Sequence, residues 1–175
     1  MRSLGLLLAI VISAGFSQAA SATSTEDVAI RPGVGIGPIN LGMSGQEVRR
    51  ALGPPRAVVE RKVLRRQPYV EFEWNLGDWY VGLLGRKGHR RVVMVGTALT
   101  RHRTPGGLGV GTDENRIWRE LRGRLRERYC APSTHWYLRH GRTETIYLPY
   151  WQRLPKPMIV GRVQVRAQPA LGCSI

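Results

Sequence analysis

The chain has 175 residues, with 27 lysines and arginines against 12 acidic residues, a formal charge of +15. That length accommodates one domain of ordinary size with a real core. The positive balance reads first as a well-solvated charged surface and otherwise as a surface for an anionic partner such as a wall polymer, lipid head groups or nucleic acid.

At the N-terminus, Arg2 precedes an apolar run of 13 residues, Leu4 to Phe16, and then the small residues Ala20-Ser21-Ala22. This is the three-part pattern of a secretion signal. The run is shorter than the roughly 20 residues of a membrane span. Cleavage after Ala22 is therefore expected, leaving a secreted, extracytoplasmic chain of 153 residues and charge +14. No cysteine follows the run to anchor a lipid. The two cysteines, Cys130 and Cys173, are expected to pair outside the cytoplasm. Closing such a loop is worth roughly 4 kcal/mol.

Residues 23–31 read as a flexible leader. From Pro32 an internal repeat appears, dividing the remainder into 32–98 and 99–175. Gly42, Ser44, Val48 and Leu52 recur at an offset of 69 as Gly111, Asp113, Ile117 and Leu121. Ser44 with Glu47 forms a capping box, and Gly53-Pro54-Pro55 stops the first helix. Asp113 caps a second, in which Ile117, Leu121, Leu125 and Tyr129 recur every four residues. Residues 56–66 read as either strand or helix. Strands are predicted at Tyr69–Trp74, Trp79–Leu84 and Arg90–Thr97, and again at Thr134–Arg139, Thr143–Leu148 and Met158–Arg166. The predicted fold class is α+β: two tandem helix-plus-antiparallel-meander repeats, with helices packed on one face of a sheet.

Alternation assigns the faces. Val70, Phe72 and Trp74 oppose Glu71 and Glu73, and Ile159, Val163 and Val165 oppose Arg162, Gln164 and Arg166. Trp136 and Leu138 oppose His135, Tyr137 and Arg139, while Ile146 is taken as buried and Tyr147 as exposed. The uncovered face is thus expected to carry Tyr69, Tyr80, Tyr137, Arg139, Tyr147, Arg162 and Arg166 as a binding surface.

The segment from Gly35 to Ser44, with its second copy at Gly109 to Leu121, resembles the β-lactamase-inhibitor-protein-like superfold. That superfold also includes small lipoproteins of the outer-membrane β-barrel assembly machinery. The resemblance implies a concave sheet whose aromatic residues grip a protein, and a hairpin aspartate entering an active site. Asp78 matches that aspartate in kind, although turn formation also explains it.

No catalytic constellation is found. His89, His102, His135 and His140 lack metal-ligand spacing, so no metal or cofactor is expected. There is no nucleophile elbow, phosphate loop or dinucleotide fingerprint. Glu71 and Glu73 read as a charged strand face rather than an acid pair. The reading is a non-enzymatic module that binds a protein partner. Its alternatives are docking to an anionic envelope polymer or membrane surface, and an unrecognised hydrolase. Nucleic acid is not the expected partner.

Overall fold

The computed structural model describes residues 29–63, 67–75, 78–130, 133–150 and 158–167. Three two-residue strands come first: β1 (Ile30–Arg31), β2 (Gly35–Ile36) and β3 (Ile39–Asn40). They form a small antiparallel sheet ahead of helix α1 (Gly45–Leu52). A meander follows, made of β4 (Ala57–Val63), β5 (Gln67–Trp74), β6 (Trp79–Leu84) and β7 (Arg91–Thr97). After α2 (Glu114–Glu120) comes another, of β8 (Leu125–Cys130), β9 (Ser133–His140), β10 (Thr143–Tyr150) and β11 (Ile159–Ala167). The eight longer strands join in one sheet of order β4-β5-β6-β7-β11-β10-β9-β8. Residues 56–66, open between strand and helix on sequence, thus contribute β4. Ile30 and Arg31, placed in the expected leader, belong to β1, while the expected signal lies outside the described residues.

The expected α+β class, with helices packed on one face of a sheet, is overturned: the chain is mostly β, and among the described residues no layer of helices covers the sheet. Among the described residues the two helices span eight and seven residues, and each buries one side chain, Val48 or Ile117. Helices this short carry little stability of their own. Ile30, Ile36 and Ile39 from the small sheet pack into the core instead, with Leu108 and Val110 from the segment before α2. The second helix is shorter than its four-residue period implied. Gly123 has φ +78°, a left-handed turn that breaks the helix. Leu125 and Tyr129 therefore lie in β8, and Tyr129 is 72% exposed.

The cap signals translate directly into geometry. Ser44 accepts the Glu47 N–H, and the Glu47 carboxylate accepts the Ser44 N–H at 2.6 Å. Asp113 accepts the Arg116 N–H at 3.0 Å. Each helix start is also tied to the last strand of a meander. The Gly42 N–H donates to Val92 O at 2.8 Å, and the Gly111 N–H to Val160 O at 2.7 Å. Both glycines have positive φ, +88° and +82°, which a side chain would strain.

The meanders meet at β7 and β11, where Gly96 stands opposite Gln164. Core side chains occupy one sheet face, including Val70, Phe72, Val81, Val95, Trp136 and Val163. The predicted core residue Ile159 is displaced by a bulge. Leu148 pairs with Arg162 but Pro149 pairs with Val160, leaving Gly161 unpaired. The extra residue inverts the alternation, so Val160 joins Val163 and Val165 in the core. Pro149, which has no N–H to give the ladder, sits at this irregularity.

Candidate binding surface

Strand register assembles the second sheet face. One row runs Tyr80, Gly96, Gln164, Ile146, Tyr137, Arg126. The next runs Glu71, Gly82, Met94, Arg166, Glu144, Arg139. Tyrosines crowd one end of this face and arginines the other.

The tyrosines at the β5–β7 end are structural. Tyr69 lies across Gly82 and Tyr80 lies across Gly96, where any Cβ would overlap the ring. Each ring covers a glycine on the adjacent strand and shields backbone that no side chain protects. The Tyr69 hydroxyl donates to Glu71 at 3.0 Å. Gln164 Nε2 donates to the Tyr80 hydroxyl at 2.7 Å, and the Arg162 guanidinium stands 5.5 Å from the Tyr80 ring centre. Burial pushes the Tyr80 phenol up to about 12, so it stays protonated. Tyr69 and Tyr80 lie on the expected face, but they stiffen it rather than present themselves to a partner.

The arginine end is organised around one buried carboxylate. Glu144 receives Arg128 at 3.1 Å, Arg166 at 3.0 Å and Arg139 at 3.8 Å. Burial alone would raise its pKa, but hydrogen bonds from Arg128 and Arg166 outweigh that and hold it below the usual carboxylate range. Glu144 is thus an ionised pivot. The Tyr137 ring is approached by Arg128 at 4.5 Å and Arg139 at 5.9 Å. Both distances suit cation–π attraction. His135 sits in the same field; burial, then Arg166 and Arg128, lowers its pKa and keeps the ring neutral.

The structure therefore groups Tyr137, Arg139, Arg162 and Arg166 on this face with Tyr69 and Tyr80. Tyr147 is a correction. It pairs with Trp136 and Val163 and lies in the core at 1% exposure, while Ile146 takes the second face. Ile and Tyr are both apolar enough for a core, so β10's own alternation did not decide between them. Sequence reasoning missed Arg126, Arg128 and Glu144. The first two were hidden by reading β8 as helix, although Gly123 interrupts the helical period ahead of it. Asp78 closes the β5–β6 connection, its N–H donating to Asn75 O at 3.2 Å and its carbonyl accepting from Ala98 at 2.7 Å. Cys130 is buried at the end of β8, and its expected partner Cys173 lies outside the described residues. Among the described residues no helix is long and apolar enough to cross a membrane.

No family model and no curated protein sequence matches the chain. Its fold is similar to that of the crystal structure of the uncharacterized protein yfeY from Escherichia coli. The two share 11% identity over 79% of this chain and 98% of that one, with a TM-score of 0.51. More distant similarity extends to a DUF4309 family protein, YjgB, from Bacillus subtilis: 16% identity, 71% and 78% coverage, TM-score 0.40. It extends also to an extracellular protein containing an SCP domain from Bacillus anthracis. There the identity is 10%, the coverage 73% of this chain and 44% of that one, and the TM-score 0.43. At such identities the yfeY likeness speaks to the fold alone.

Proposed function

We propose that this chain acts outside the cytoplasm as a non-enzymatic binding module, recognising a protein partner through the arginine-rich end of its second sheet face. The observation that carries the reading is Tyr137, approached by the guanidinia of Arg128 and Arg139 on strands of a continuous sheet. Tyrosine and arginine are the side chains that most often anchor interfaces, and a strand scaffold limits the ordering they lose on binding. Arg126 and Arg139 are exposed around this centre, and Arg162, also exposed, stands beside Tyr80 on the same sheet face. Glu144 keeps two neighbouring guanidinia in place before any partner arrives. An ionised carboxylate held by guanidinium donors is a poor general acid, and its charge serves to hold those donors in place. The export reading rests on the charged, apolar and small-residue pattern of residues 1–22. The resemblance to the β-lactamase-inhibitor-protein-like superfold, in which aromatic residues of a sheet grip a protein, supports the same surface.

The test is affinity capture from culture supernatant and cell envelope with the mature chain and a Tyr137→Ala/Arg139→Ala/Arg162→Ala variant. A partner retained at high salt by the mature chain and lost by the variant supports the reading. A partner captured equally by both overturns it.

A further inference from the structure

The sheet has a notch at its β8 edge. β8 begins at Leu125, opposite Leu138, so the last residues of β9, Arg139 and His140, run past it. Gly123 and Arg124, from the turn leaving α2, border the gap. A cavity of about 380 Å³ results.

Its lining is one-sided in charge. Arg124, Arg126 and Arg139 contribute to it, and no carboxylate among the described residues does. Arg124 and Arg126 are exposed and form no ion pair among the described residues. Arg139 reaches Glu144 only at 3.8 Å, with Arg128 and Arg166 closer. His140 Nε2 is buried without a hydrogen-bond partner among the described residues. Burial, then Arg124, lowers the His140 pKa, so the ring is neutral at pH 7.

We propose that this notch binds a phosphoryl group, carried as a phosphate ester or a diphosphate. Three guanidinium forks around one concavity suit an anion with several acceptor oxygens and more than one charge. A carboxylate would satisfy one fork and leave the others facing each other. His140 lines the same wall as a neutral ring, so it adds no positive charge to the three guanidinia. The notch adjoins the proposed partner surface and shares Tyr137, Arg139 and Arg126 with it, but the variants that test it, at Arg124 and Arg126, leave the three residues of the capture variant intact, so the two readings can fail separately.

Calorimetric titration of the mature chain with inorganic pyrophosphate, at about 50 mM salt so that screening is modest, tests the notch. The Arg124→Ala/Arg126→Ala variant should lose roughly tenfold or more in affinity, and Arg124→Lys/Arg126→Lys should fall between, keeping charge but losing the forks. Arg50→Ala, on α1, should bind like the parent. Equal binding by the double alanine variant, or an equal loss in Arg50→Ala, overturns the site and leaves only general attraction to a basic surface. Soluble polyphosphate and vesicles containing phosphatidate then separate the sources. Binding sensitive to the double variant in one arm identifies polymer or lipid headgroup, and insensitivity in both arms overturns the proposal.

Discussion

Arg166 places Nη2 3.0 Å and Nε 3.2 Å from the same Glu144 oxygen, and both side chains are buried. They belong to neighbouring strands, β10 and β11, and Arg128 reaches the other oxygen from β8, two strands away. This cluster fastens the second meander across its width.

Removing the shared carboxylate should therefore be costly. Glu144→Ala leaves Arg128 and Arg166 facing one another at a buried site, and should lower stability by about 3 kcal/mol. Arg139→Ala, whose side chain is 58% exposed and 3.8 Å away, should cost under about 1 kcal/mol. Urea denaturation of the two variants measures the contrast, and equal losses would contradict the pivot role.

Tyr147 is expected to be a core residue despite its hydroxyl. Tyr147→Ala should cost about 3 kcal/mol or more by opening a cavity beside Trp136 and Val163. Tyr137→Ala, on the half-buried second face, should cost about 1 kcal/mol or less. Melting temperatures of the pair decide which face each tyrosine occupies.

The glycines beneath the tyrosines should resist even the smallest side chain. Gly96→Ala forces a methyl into the Tyr80 ring and should cost about 1–3 kcal/mol through overpacking. Adding Tyr80→Ala should make the second substitution less than additive, because the clash disappears. A double-mutant cycle that is strictly additive would mean the ring does not rest on Gly96.

His102 should make the fold acid-sensitive. Its ring is fully buried, shares a 2.6 Å hydrogen bond with Thr97 and meets Trp79 edge-on at 4.7 Å. Burial, then Arg101, depresses its pKa to about 4. The unfolded chain takes up this proton near pH 6.5 and the folded chain does not. Stability should thus be unaffected above about pH 6.5 and fall as pH drops toward 4, by at most about 3 kcal/mol. Denaturation of His102→Gln across this range should show a shallower slope than the parent; parallel slopes would count against the buried neutral ring.

Export and pairing are tested together on secreted material. The mature chain should begin near Thr23, and unfolded, unreduced protein should show no thiol reactive to alkylation. An intact Met1 would remove the export reading, and two reactive groups would remove the Cys130–Cys173 bridge.

Local sequence determined those features whose cause lies within a few residues. Ser44 with Glu47, and Asp113, marked both helix starts because caps are satisfied within one turn. Trp79–Leu84 was legible as a strand, bounded by turn residues, and Val70 and Phe72 declared the core face of β5 by alternation with two glutamates. What alternation could not decide, tertiary structure did. Trp136 and Val163 drew Tyr147 inward, because cross-strand register fixes which of two adjacent apolar residues meets the core. The bulge at Gly161 inverted the phase of β11 partway along, and the small sheet of Ile30, Ile36 and Ile39 took the cover expected of helices. Glu144 found its guanidinia on three other strands, 16 and 22 residues away for its two closest partners. Such pairings depend on which strands become neighbours, and only the assembled sheet contains that information.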